Sequence, residues 1–203
     1  MRLPRFYPVL PDAAMIARLV PQGVRLVQLR FKGEAAQVAP QIAAALALCR
    51  RHGAQLVVND HWQAALDLGA DFIHLGQEDL DSADTAAIAR AGLRLGVSTH
   101  DRAELDRALA LRPAYVALGP VYPTLLKQMP WRPQGPERLR RWKARIGDIP
   151  LVAIGGLTRA RLPEVFAAGA DVAAVVTDLV AASDPEARTR DWVQATRDGE
   201  ASA

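Results

Sequence analysis

Residues 56–60 read LVVND and residues 74–79 read HLGQED, and each stretch closes a short apolar run, over 55–58 and over 71–75. A helix-length segment, 62–68, lies between them. This is the pattern of a β-α-β unit, whose two parallel strands end on the same side. Asp60 and Asp79 then emerge at neighbouring strand ends, where two carboxylates can share one metal ion. Mg2+ suits such a pair, because it takes few protein carboxylates and fills its shell with water and substrate phosphate oxygens. Each acid also has a plainer reading: Asp60 as the cap of a helix starting at His61, and Asp79 as turn chemistry before Leu80 and Asp81.

Outward from this segment the same unit recurs. Strand-like runs fall at 5–10, 24–29, 55–58, 71–75, 93–96, 115–118, 151–154 and 172–176, with helix-length segments between them. Eight strands alternating with eight helices is the count of a closed parallel barrel. The expected fold is therefore α/β, a compact (β/α)8 TIM barrel forming a single domain over residues 1–197. Glycine stands at several helix-to-strand joints, at Gly53, Gly69 and Gly169, as it does after a helix C-terminus. An open doubly wound sheet shares this periodicity and is the alternative architecture. No linker divides the chain, and the small polar end at 198–203, DGEASA, is expected to be a disordered tail.

Half of the 203 residues are hydrophobic and 23% are charged, enough to bury a full core without covalent staples. The single cysteine, Cys49, excludes a disulfide framework or a cysteine metal cluster and favours a reduced, cytoplasmic setting. The start, MRLPRFYPVLPD, is too proline-rich for a secretory signal, and no apolar run has the length of a membrane span. The net charge of +3 invites a nucleic-acid reading. The arginines are nevertheless scattered among acids on helix-like stretches, so they read as solvated faces, and small anionic ligands remain the natural partners. A homo-oligomer is compatible with the sequence.

In a barrel the functional face lies at the C-terminal ends of the strands. The second run ends in VQLRFK, where a period of two puts Gln28, Arg30 and Lys32 on one side and Leu29 and Phe31 on the other. Two cations and an amide suit an oxyanion, most simply pyrophosphate, although a strand end with snorkelling basic side chains has the same pattern. Asn59 and Gln77 flank the two aspartates. At GVSTHD, 96–101, Ser98 or Thr99 can donate to a phosphate, or Thr99 can cap the next helix. His74 and His100 suggest acid–base work, but a histidine between Ile73 and Leu75 reads better as a satisfied core residue. The longest helix-free stretch, 119–133, has the placement of an active-site loop, with Lys127 as a third cation or as an ordinary solvated lysine. Gly155 and Gly156 after the seventh run, beside Thr177 after the eighth, form a phosphate cradle of the kind barrels build there.

The ordered set QLRFK (28–32), ND (59–60), HLGQEDL (74–80), GVSTH (96–100), GPVYPT (119–124) followed by lysine, AIGGL (153–157) and AVVT (174–177) resembles the thiamine-phosphate synthase family. The resemblance implies a (β/α)8 barrel and a transferase. Its reaction joins the diphosphate of 4-amino-5-hydroxymethyl-2-methylpyrimidine to a thiazole phosphate, giving thiamine monophosphate and pyrophosphate by a Mg-assisted dissociative route. Carried over by motif, Gln28, Leu29, Arg30, Phe31, Lys32, Asn59, Ser98 and Lys127 contact the pyrimidine diphosphate, and Asp60 and Asp79 hold Mg2+. Arg30, Lys32, Ser98 and Lys127 act on the departing pyrophosphate. Thr124, Leu125, Leu126, Gly156, Val176 and Thr177 contact the thiazole phosphate. The chain departs from the family pattern at Phe31, where an acid is common, at Leu126, where a hydroxyl is common, and at Thr177, which replaces serine. Two other functions share the pattern: a thiazole tautomerase, whose strand-six loop carries a histidine that is missing here, and a paralogue that binds thiamine intermediates without turnover.

Overall fold

The computed structural model describes residues 2–124 and 131–197. Strands β1 (Phe6–Leu10), β2 (Leu26–Leu29), β3 (Gln55–Asn59), β4 (Phe72–Leu75), β5 (Arg94–Thr99), β6 (Tyr115–Leu118), β7 (Leu151–Ile154) and β8 (Val172–Val175) pair in parallel in chain order. Pairing of Phe6 with Ala173, Tyr7 with Ala174 and Pro8 with Val175 joins β8 to β1 and closes the barrel. This contact rules out the open sheet. All eight expected runs are strands. The largest boundary change is in β5, which runs on to Thr99 because its alternation continues: Val97 and Thr99 are buried toward the helices.

Ten α-helices surround the strands among the described residues: α1 (Ala13–Leu19), α2 (Ala35–His52), α3 (Trp62–Asp67), α4 (Gln77–Ser82), α5 (Thr85–Arg90), α6 (Arg102–Ala110), α7 (Gly135–Ile146), α8 (Leu162–Ala167), α9 (Thr177–Val180) and α10 (Pro185–Arg197). Aspartates start several of them. Asp12 accepts from the Met15 amide at 2.7 Å and Asp101 from the Glu104 amide at 2.9 Å, each satisfying an amide that the first helical turn leaves without a partner. Gly53 ends α2 at φ 63°, a left-handed conformation that residues with a Cβ resist. Among the described residues no helix is long and apolar enough to cross a membrane.

Two apolar layers follow from the period of the strands. In β2, Val27 and Leu29 face the helices with Ile16, Ile42 and Val58, whereas Leu26 faces the barrel axis with Tyr7, Val57, Phe72, Tyr115 and Val172. The axis is thus filled by side chains. One position permits this filling. Gly96 pairs with His74 on β4 and with Tyr115 on β6, and a Cβ built there would fall among the atoms of the Tyr115 ring. Its absence lets the ring cross β5 and stack on the His74 imidazole, with centroids 5.6 Å apart and planes 12° from parallel.

Candidate active site at the strand ends

The basic side of the site starts at the end of β2. The Arg30 amide donates to the Leu10 carbonyl at 2.8 Å, which continues the extended backbone past the strand. The expected alternation holds: Gln28 is buried toward the axis, Arg30 and Lys32 are exposed at the rim, and Leu29 and Phe31 pack into the helical layer. Leu29 and Phe31 therefore turn their side chains away from the rim. Lys32 reaches across and forms an ion pair with Asp60.

Asp60 follows the last residue of β3 at φ 62°, in the left-handed region. Aspartate tolerates this region better than most residues because its short polar side chain makes local hydrogen bonds. The backbone is held there by the Asp60 amide, which donates to the His74 carbonyl at 3.0 Å, and by the Trp62 amide, which donates to the Asp60 carbonyl at 2.8 Å. His61 occupies the cap position of α3, so Asp60 has no capping role and its carboxylate meets Lys32 and Asp79 at the rim. Asp79 does combine two roles. As the third residue of α4 it accepts from the Gly76 amide at 3.1 Å, and it also faces Asp60. Burial, and then the Asp60 charge beside it, raise the Asp79 carboxyl above its ordinary value, with the Gly76 N–H and Lys32 opposing.

Two acids pressed together in this way call for a cation. Among the described residues no third histidine, cysteine, aspartate or glutamate joins them. Two carboxylates are a donor set that Mg2+ takes when water and phosphate oxygens complete its shell. The raised carboxyl also has a consequence for stability. A carboxyl raised on folding contributes stability in acid, below its ordinary value, and that contribution is lost as pH rises through the raised value. Without divalent cations, Asp79→Asn should therefore gain stability relative to the parent chain from acid to neutral pH. Urea unfolding across that range checks the sign, and a constant difference would contradict it.

At the end of β5, Ser98 and Thr99 separate. Ser98 turns inward, and its hydroxyl lies 2.8 Å from His74 Nε2. Thr99 is fully buried on the other face, where its hydroxyl donates to the Ala117 carbonyl and accepts from Trp142 Nε1, each at 2.9 Å. Thr99 is thus neither a phosphate donor nor a helix cap, and Asp101 caps α6. His74 is a buried residue with both ring nitrogens bonded, as expected, the second to Tyr115 Oη at 2.8 Å. His100 pairs with Glu104 and stacks on Trp131. Asn59 is buried at the end of β3. Gln77 donates to the Ser98 carbonyl at 2.7 Å, while its own buried Oε1 has no partner among the described residues.

A second concavity of about 390 Å³ opens at the ends of β7 and β8. Thr124, Gly156 and Thr177 line it as expected, but Thr158, Arg161 and Arg188 also line it, and strand-end reading had missed these. Arg161 lies on a helical turn that Thr158 precedes, and Arg188 lies in α10; the signal for the first two was TRAR, 158–161, one residue after the paired glycines, and Arg188 had none. Val176 instead packs against the axial layer. Gly155 and Gly156 have φ of 96° and 65°, and a Cβ on Gly156 would come within 2.8 Å of Tyr122 Cβ. The glycines thus answer to the close approach of residues 120–123 as well as to any anion. Arg161 donates to the Gly156 carbonyl and lies 4.2 Å over the Tyr122 ring, so the cation is braced at the cavity wall. Leu125, Leu126 and Lys127 lie outside the described residues, as does the tail at 198–203.

A carboxylate pair, a basic strand end and a separate cavity on one rim describe a (β/α)8-barrel enzyme that works at the C-terminal ends of its strands. Comparison narrows the class. The sequence profile described as "Thiamine monophosphate synthase" matches residues 9–179. The chain is 58% identical over 197 residues to a thiamine-phosphate synthase of Rhizobium etli, covering 97% of each, and 49% identical over 189 residues to one of Enterobacter sp. (strain 638), covering 93% of this chain and 90% of that one. Among solved structures, the thiamine phosphate pyrophosphorylase of Pyrococcus furiosus superposes with a TM-score of 0.84 at 26% identity, with 96% of each chain covered. The chain belongs to the thiamine monophosphate synthase family, and with it to the transferases.

Proposed function

We propose that the chain joins a 4-amino-2-methylpyrimidine, activated as its methyl diphosphate, to a thiazole phosphate, releasing pyrophosphate and forming thiamine monophosphate in the cytoplasm. The observation that carries this reading is the pairing of Asp60 and Asp79 beside Lys32, on the same rim as a separate cavity walled by Arg161 and Arg188. Such a rim can hold a diphosphate with its metal and a monophosphate at once. Asp60 and Asp79 would hold Mg2+, which supplies positive charge to the diphosphate oxygens. Arg30, Lys32 and Lys127 neutralise the leaving group as the carbon–oxygen bond to the exocyclic methylene breaks, and Ser98 donates a hydrogen bond to it. Electron release from the aminopyrimidine ring supports the cationic carbon until the thiazole nitrogen bonds to it. Gly156, Thr177 and Arg161 hold the thiazole phosphate for that step. No nucleophilic side chain is needed.

The test is pyrophosphate release by the purified chain with both substrates and Mg2+, each omitted in turn. Release that needs all three, with thiamine phosphate formed, supports the proposal; binding of the diphosphate without release would turn it toward a non-catalytic paralogue. Arg161→Ala should raise KM for the thiazole phosphate about tenfold with little change in kcat, because a charge-assisted hydrogen bond is worth roughly 1.5–3 kcal/mol. An unchanged KM would remove Arg161 from phosphate binding.

A further inference from the structure

Five polar side chains form an unbroken hydrogen-bond chain across the barrel. Gln28 Nε2 donates to Tyr7 Oη at 2.9 Å, Tyr7 Oη lies 2.9 Å from Tyr115 Oη, Tyr115 Oη lies 2.8 Å from His74 Nδ1, and His74 Nε2 lies 2.8 Å from Ser98 Oγ. Both tyrosines are at most 1% exposed, and Gln28 and His74 are 5% and 7% exposed. The chain has a direction. An amide nitrogen can only donate, so Tyr7 is an acceptor from Gln28 and its one hydroxyl proton must go to its other partner, Tyr115. Tyr115 then gives its proton to His74 Nδ1. With Nδ1 accepting, the imidazole proton sits on Nε2 and goes to Ser98, whose own proton is left over. The opposite order would strand the Tyr7 proton in the interior with no acceptor, which folded proteins avoid.

We infer that Gln28, Tyr7, Tyr115 and His74 are positioning residues that hold His74 as its Nε2–H tautomer and so turn the Ser98 hydroxyl proton outward, to be donated to an anionic ligand at the rim. A neutral ring is what the ordered chain requires, since an imidazolium would have to donate at both nitrogens. The last step, donation to the diphosphate, rests on the function proposed above; the order of the protons does not.

Long-range 15N–1H NMR of the full chain labelled at histidine tests the order without substrate, with the His74 signals assigned by their loss in His74→Asn. The expected result is a pyridine-like Nδ1 and a pyrrole-like Nε2. Gln28→Glu puts an acceptor at the head of the chain and should move the proton to Nδ1. If that buried acid prevents folding, Tyr7→Phe removes the directing donor and should give a mixture of the two tautomers. An Nδ1–H ring in the native protein, or a tautomer indifferent to both changes, overturns the inference. In turnover, Tyr7→Phe should lower kcat about twofold, the share of molecules whose ring no longer frees the Ser98 proton, with KM for the thiazole phosphate unchanged. Unaltered kcat alongside the expected tautomers would overturn the outward donation by Ser98. Absence of synthase activity in the parent chain, with the expected tautomers intact, would instead count against the proposed function.

Discussion

Asp60→Asn should lower kcat/KM for pyrophosphate release by about a thousandfold at saturating Mg2+, while the protein unfolds within a few degrees of the parent. The magnitude follows from the several kcal/mol that a bound divalent ion contributes to leaving-group stabilisation, with each 1.36 kcal/mol worth about tenfold in rate. The structural side of the prediction is equally specific. Asparagine tolerates the φ of 62° at this position, so the backbone bonds to His74 and Trp62 survive. The loss falls on the Lys32 ion pair, an exposed contact worth roughly 0–1 kcal/mol, and relief of the repulsion at Asp79 offsets part of it. Steady-state kinetics with a Mg2+ titration and a thermal melt would decide the matter. Near-native activity would show that the pair does not hold the metal.

The other large effect concerns stability. Gly96→Ala should destabilise the barrel by about 3 kcal/mol, at the upper end for overpacking a core, which for a chain of this size is roughly 6–12 °C in Tm. The new methyl group would meet the ring of Tyr115, which is fully buried between Tyr7, Phe72 and His74 and has nowhere to move. A double-mutant cycle isolates this cause. In a Tyr115→Val background the same alanine should cost less than about 1 kcal/mol, because the two positions are in contact and their effects cannot add. Equal costs in both backgrounds would mean that the methyl group strains the strand itself.

The architecture was legible because parallel strands buried on both faces leave compact apolar runs, and because Gly53, Gly69 and Gly169 mark the helix ends at φ of 63°, 71° and 95°. Closure was not legible, since periodicity carries no information about whether Tyr7 pairs with Ala174. In the site, the alternation at 28–32 was sufficient to separate Gln28, Arg30 and Lys32 from Leu29 and Phe31. The same rule, applied to β5, would have shown that Ser98 and Thr99 cannot share a face. Tyr7 and Tyr115 were hidden for another reason. A tyrosine in an apolar run looks like core, and its hydroxyl acquires a partner only when register brings distant strands together. Arg161 and Arg188 were not legible because they line the cavity from helical segments past the strand ends.

The side chains of Tyr7, Phe72 and Tyr115 that fill the axis also settle the traffic of the molecule. A barrel stoppered along its length has one mouth, so whatever enters to react must leave across the same rim by which it came. On the reaction proposed above, two substrates and two products then share that one face of the barrel. Product-inhibition patterns, which distinguish ordered from random passage, become the means of learning whether the two partners cross that face in a fixed order.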